Sequence, residues 1–348
     1  FLSWRWLFAL PVVLVVAAAV MALRAVPNSR QFSQHRFDTL GSILSLLAIM
    51  GVSFALHEGP AIGWTATETL AGLVLGVSAF IGFIVWELRH AEPLLDIRLF
   101  KKRSLTSGSI SLTTWFGVQA GVFIVLYPFF QAVLGWSGLL ATLGLMPMAL
   151  LMMIFSGVAP RLSANIGPKA TIASGVLLGG AGLALMALLV SVDGGYLSVL
   201  PGMVTMGIGM GLAMAPSTEA ITSSLPREQQ GVASALNDVT RELGTSLGVA
   251  LLGAVFAASY RSAIAPLLSG FPEDAAAAAS QNIANAMVIV DQGLPYADAL
   301  YRTAQEAFVQ GWQQAMWAGV AVMAILFLFV ALRGPVRPAP VDAAPAEA

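Results

Sequence analysis

Not one cysteine occurs in the 348 residues, and histidine is limited to His35, His57 and His90, which share no ligand spacing. Disulfides and thiolate metal sites are thereby excluded, and nothing points to a resident metal or cofactor. Charge is the second scarcity. Asp, Glu, Lys and Arg make up 10% of the chain against 57% hydrophobic residues, under half the charge of an ordinary soluble domain. A net charge of -1 gives no electrostatic footprint for nucleic acid. Catalytic patterns are missing too. There is no HExxH and no GxSxG, and Ser and His do not recur with an acid at a recognisable spacing, so no catalytic residue and no enzymatic role is assigned.

What the chain does contain is long apolar runs. Stretches of 17 to 24 residues pass without a charge, enough for a helix to cross roughly 30 Å of hydrocarbon. Backbone in lipid must satisfy its own hydrogen bonds, so such runs are helices. The reading is an all-α, polytopic membrane protein with nine spans. They are Trp6 to Leu23, Leu40 to Leu56, Leu70 to Trp86, Ser107 to Phe130, Gly138 to Phe155, Ala170 to Val190, Leu197 to Met214, Gly231 to Tyr260 and Met316 to Leu332.

Lys and Arg alternate across these spans. Arg24, Arg30, Arg36, Arg89, Arg98, Lys101, Lys102, Arg103, Arg161, Lys169, Arg227, Arg333 and Arg337 fall on one side, thirteen in all, against Arg5, Arg261 and Arg302 on the other. Cytoplasmic loops carry the positive excess, so a cytoplasmic C-terminus is expected. The chain divides into residues 1–24, a single span; 25–103, two spans with their polar loops; 104–333, a six-span block with a long Ala-rich extracytoplasmic segment at 261–314; and a Pro/Ala-rich tail at 334–348, expected to be disordered. Within the long segment, Asp274 to Ala286 and Ala297 to Gln314 read as amphipathic helices outside the membrane. The opening, Phe1 running straight into a full-length span, reads as a chain cut upstream.

The eighth span alone holds ionised side chains. Asn237 and Arg241 lie one turn apart, Asp238 and Glu242 on the adjacent stripe, and Asp238 to Arg241 is an i, i+3 pair, so two acids share one base. Charges at membrane depth mark a functional hypothesis; structural pairing or snorkelling near the cytoplasmic end is the competing reading. Gly244 and Gly248 form a small-residue stripe for close helix approach. Gly207, Gly209 and Gly211 lie inside an apolar span with no strand before and no Lys after, which excludes a phosphate loop and leaves packing or a hinge. Trp115, Gln119, Tyr127, Gln131 and Met146, with Met148, are candidates to line a substrate cavity, Gln119 foremost because a buried amide needs a partner. Packing is the alternative for each.

Three stretches carry a family likeness: Phe1-Leu-Ser-Trp4-Arg5-Trp6, Glu92-Pro93-Leu94-Leu95-Asp96-Ile97-Arg98-Leu99-Phe100, and Gly231 through Asn237 to Arg241-Glu242-Leu243-Gly244. Together they resemble the fourteen-helix drug:proton antiporters of the major facilitator superfamily. The resemblance implies that the nine spans are that family's sixth to fourteenth helices, the second and third being inserted linker helices, with the first five helices of the same protein as a missing partner. It also implies alternating-access export of amphipathic drugs against protons across the plasma membrane, with Asp238 and Glu242 as proton-responsive groups. The loop Pro160 to Lys169 resembles a degraded gating motif, with Ala164 and Asn165 where acid and base are expected. Export of a polar metabolite, a non-transporting scaffold or sensor, and an inactive truncated product are the alternatives.

Overall fold

The computed structural model describes residues 6–25, 38–90, 93–226, 229–290 and 294–335. Phe1 to Arg5, Arg30, Arg36, Glu92, Arg227, Arg337 and the tail beyond Pro335 lie outside them. Twelve α-helices and no strand occur among the described residues. Eight helical stretches there are long and apolar enough to cross a bilayer, beside a shorter apolar run at Pro11–Ala25.

The chain forms two units, residues 1–38 and 39–348. The first holds α1 (Trp6–Ala25), which keeps Pro11 inside the helix. The second opens with α2 (Thr39–Ile62) and α3 (Thr67–Arg89), which pair with each other, while α2 also rests on α9. Then follow α4 (Arg103–Pro128), α5 (Gly138–Gly144), α6 (Met146–Ile166), α7 (Pro168–Leu189), α8 (Gly195–Thr222), α9 (Gln230–Ile264), α10 (Glu273–Gln281), α11 (Ile283–Val290) and α12 (Ala297–Arg333). Its main packing pairs are α7 with α8, α4 with α9, α6 with α8, and α12 with both α7 and α9. The core contains Trp115, Phe129, Phe130, Phe308 and Trp312.

Lipid tails are as apolar as leucine, so helices in a bilayer gain from close van der Waals approach rather than from escaping water. Small residues decide which faces meet. On α8, a methyl group added at Gly207 would lie 2.5 Å from the Met148 carbonyl oxygen, and one at Gly211 2.6 Å from that of Met152. Gly209 lies against Gly175 and Gly179 of α7 instead. The three glycines thus seat α8 against two neighbours, and the helix runs unbroken through them from Gly195 to Thr222. On α9, Gly244 meets the backbone of Thr113 and Gly248 that of Gly117, both on α4.

Two features depart from the sequence reading. The last helix is one continuous rod from Ala297, not a separate amphipathic helix followed by a span at Met316. Trp312 anchors its middle, its indole N–H donating to the Met186 carbonyl at 3.1 Å and its ring 5.2 Å from Phe129. The helix expected over Asp274 to Ala286 is broken at Asn282, whose backbone is extended and whose side chain accepts from the Asn285 N–H at 2.9 Å, starting a new helix.

Near Pro128, α4 widens into one π turn, Phe129–Val133, as expected where a proline removes a backbone donor. The carbonyls at the end of this turn are met by α12. The Tyr301 hydroxyl donates to Ala132, and Gln305 Nε2 donates to Val133 at 3.1 Å. At the same end of the bundle Arg302 donates to Asp193 at 2.7 Å, and its guanidinium holds that carboxyl below the usual carboxylate range.

At the opposite end, the segment between α3 and α4 is tied down. The Leu95 N–H donates to Glu87 Oε2 at 3.1 Å, Arg98 Nη2 to the Leu88 carbonyl at 3.2 Å, and Lys102 Nζ to the Ser224 carbonyl at 3.1 Å. Leu95, Leu99 and Phe100 pack on a buried cluster that includes Leu105, Leu112, Ile221 and Leu236. The motif that carried the family likeness therefore fastens the end of α3 to the ends of α4, α8 and α9.

The α4–α9 contact gives a direct test. Gly248→Leu should destabilise the protein by at least about 2 kcal/mol, because overpacking against backbone has no flexible side chain to yield. A Cβ at Gly157 meets nothing within 4 Å, so Gly157→Ala should leave the thermal midpoint in detergent unchanged or slightly raised. Equal midpoints for the two variants would contradict the contact.

Candidate functional site

The site is built on α9, whose two faces differ sharply. Ala233, Leu236, Thr240, Gly244 and Gly248 are buried at helical spacing against α4 and the end of α8. Asp238, Arg241 and Glu242 lie on the other side, at i, i+3 and i+4, and all three are exposed. Apolar and small residues on one stripe with charges on the other orient a helix between a packed core and an open face.

The expected sharing of one base by two acids does not occur. Among the described residues no ion pair joins Arg241 to Asp238 or Glu242. Arg241 instead lays its guanidinium over the ring of Phe116 on α4, 4.6 Å from the centroid. Arginine stacks readily on an aromatic face, a contact of about 0.5–2 kcal/mol depending on desolvation. Both carboxylates are unpaired among the described residues and lie on the open face. Nearby, the Thr240 hydroxyl donates to the Asn237 carbonyl at 2.7 Å and that of Thr245 to the Arg241 carbonyl at 3.0 Å. The Asn237 side-chain oxygen is buried with no partner.

The five cavity candidates do not converge on one surface. Trp115 is fully buried, its ring wedged against Gly179 of α7 and Met323 of α12, with its indole N–H unpartnered. It is a core residue here, because Gly179 leaves the space that the indole fills. Tyr127 ties α4 to α5, its hydroxyl within 3.0 Å of the Gly138 carbonyl and 2.9 Å of Thr142 Oγ1. Gln131 lies in the π turn close to Gly138, and Met146, the first residue of α6, is exposed. Gln119 is half-buried and makes no side-chain hydrogen bond among the described residues. It lies one turn beyond Phe116 on α4.

The arrangement is thus an open stripe with two acids unpaired among the described residues and a stacked arginine, backed by backbone-close helix packing. Among the described residues it has no nucleophile–base pair and no group of three His, Asp or Glu placed to hold a metal. Sequence reasoning missed Phe116, because aromatic residues are common in such helices and nothing in the spacing links positions 116 and 241. It also missed Gly117, whose spacing to Gly121 on α4 mirrors that of Gly244 to Gly248 and could have revealed the pairing.

The model of the Major Facilitator Superfamily matches residues 1–249. This chain belongs to that superfamily. It is 27% identical to the multidrug resistance protein Stp of Mycobacterium tuberculosis over 339 residues, 94% of this chain and 62% of that protein. It is 30% identical to the quinolone resistance protein NorB of Staphylococcus aureus over 260 residues, 74% of this chain and 56% of that protein. The chain therefore spans less than two-thirds of these relatives. Among solved structures, a bacterial homologue of the human lysosomal transporter Spinster, in an inward-facing and occupied conformation, superposes with a TM-score of 0.53 at 19% identity. The match covers 86% of this chain and 68% of that one, a shared fold. This superfamily member is a multi-pass membrane protein of a transporter family, not an enzyme.

The stacking of Arg241 on Phe116 can be measured by a double-mutant cycle on thermal stability. With Arg241→Gln and Phe116→Leu, the coupling should be about 0.5–1 kcal/mol. Additive single effects would show that the arginine's position depends on something else.

Proposed function

We propose that this chain is the C-terminal portion of a proton-coupled exporter of amphipathic small molecules, working by alternating access in the plasma membrane with its C-terminus in the cytoplasm. The observation that carries the reading is the open charged stripe of α9, set in a superfamily member whose relatives bear the names multidrug and quinolone resistance protein. The thirteen-to-three asymmetry of basic residues supports the orientation.

In alternating access, two helical bundles rock about a midplane cavity and expose it to either side in turn. Residues 104–333 supply one bundle, and a preceding bundle of the same protein would be its partner. The apolar faces left open on α6, including Leu150, Met153 and Ile154, suit contact with such a partner or with lipid. Asp238 and Glu242 are the proton-responsive groups in this reading. Arg241 is occupied by Phe116, so neither acid has a built-in counter-ion; at membrane depth an ionised carboxylate then requires water, a proton or a cationic substrate. Competition between proton and cationic substrate for those acids couples uptake of one to release of the other. Gln119, half-buried on α4, offers a hydrogen bond to cargo.

The test is efflux of a fluorescent lipophilic cation from cells expressing the complete protein, with and without a protonophore, and with Asp238→Asn and Glu242→Gln in parallel. Efflux should be abolished by the protonophore and reduced to background by at least one substitution at unchanged membrane abundance. Protonophore-insensitive efflux would contradict proton coupling. Efflux undiminished in both variants would remove the acids from the mechanism.

A further inference from the structure

The end of the bundle remote from the π turn carries a second polar feature, apart from the α9 stripe. A cavity of about 300 Å³ lies where α4 begins, α6 ends, α7 begins and α12 ends. Arg103 and Lys169 line it from two different helices, with Ile166, Pro168, Leu332 and Gly334 completing the wall. Neither cation has an ion-pair partner among the described residues, and no carboxylate lines the cavity. Glu219 lines an adjoining cavity with Ser104, Ser163 and Ser223 instead.

Three observations describe what would fit. First, two unpaired cations converging on one concavity favour an anion, and their guanidinium and ammonium groups are the usual partners of phosphate oxygens. Second, α7 starts after Gly167 with no side-chain cap, so the N–H groups of Lys169 and Ala170 add donors and a positive helix end at the same place. The stem of Lys169 lies along Gly334, where an added methyl group would come within 2.7 Å of its Cγ, so the base of the side chain is packed at the edge of the cavity. Third, the rim is apolar and open: Leu332 is 75% and Ile166 51% exposed. A free ion has no use for such a rim. An acyl chain running down from a bound headgroup covers it.

We infer that this cavity binds the phosphate of one anionic phospholipid, with Arg103 and Lys169 on the headgroup and Ile166 and Leu332 along the chains. Basic pockets between helices at a membrane surface are a known physical solution for anionic lipid. The inference does not depend on what is exported; the orientation proposed above only places the lipid in the cytoplasmic leaflet.

Native mass spectrometry of the complete purified protein tests it, using phosphatidylglycerol, phosphatidylcholine with the same acyl chains, and inorganic phosphate as separate probes. One phosphatidylglycerol should be retained in preference to phosphatidylcholine. Arg103→Gln and Lys169→Gln should each weaken retention by about fivefold, and together by roughly twenty-five-fold. The charge-preserving pair Arg103→Lys and Lys169→Arg should keep most of it. Lys101→Gln with Arg161→Gln, two exposed basic residues outside the cavity, should change it little. Undiminished retention by a double Gln variant with an unchanged thermal midpoint overturns the site, as does equal loss in the Lys101/Arg161 control. Displacement of the lipid by millimolar inorganic phosphate would identify a free-anion site and overturn the lipid assignment.

Discussion

The approach of α4 to α9 is the constraint on which the arrangement of the site depends. Gly244 and Gly248 bring the α9 backbone against Thr113 and Gly117, and no residue with a Cβ permits that separation. Once the two helices touch along this line, the rotation of α9 follows. Its small and apolar residues are committed to α4 and the cluster around Leu105 and Ile221, so Asp238, Arg241 and Glu242 must face away. The same contact brings Phe116 within reach of the arginine. The charged stripe and the stacking are thus consequences of where the glycines are, and the packing and open faces form one design.

That dependence explains what could and could not be read from the sequence. Each expected span is helical, the fifth through α5 and α6 in succession, because apolar runs of bilayer length have few other structures open to them. Asp238, Arg241 and Glu242 stood out because charge inside an apolar run is costly. Their pairing was misread because i, i+3 spacing reports proximity along one helix only, and the competing partner, Phe116, lies on another. Trp115 looked like a cavity residue for the same reason. Its large amphipathic ring suits a pocket or a core equally well, and the choice was made by Gly179 on α7, about sixty positions away. The length of α12 was obscured by Arg302, Glu306 and the glutamines of its first half, which break the hydropathy run without breaking the helix.

The six-span block also holds the α3–α4 connection close. Because Lys102, Leu95 and Phe100 bind the ends of α4, α8 and α9, α2 and α3 are fastened to this block at their connecting segment as well as through the contact of α2 with α9. Movement of the block would carry the pair with it. This separates two kinds of surface. Faces tied by hydrogen bonds and glycine contacts are committed, and the α9 stripe and outer face of α6 remain available.

In the proposed mechanism the α9 stripe borders water and not lipid. This chain has no cysteine, so single cysteines can be placed at 238, 241, 242 and 245 and at 233, 236 and 240 of the complete protein, any cysteine outside this chain being replaced, and their reaction with a hydrophilic maleimide followed in membranes. A water-lined stripe gives rapid labelling of the first set and protection of the second. Protection of both sets would place the stripe in lipid or in a sealed interface and remove it from the transport path.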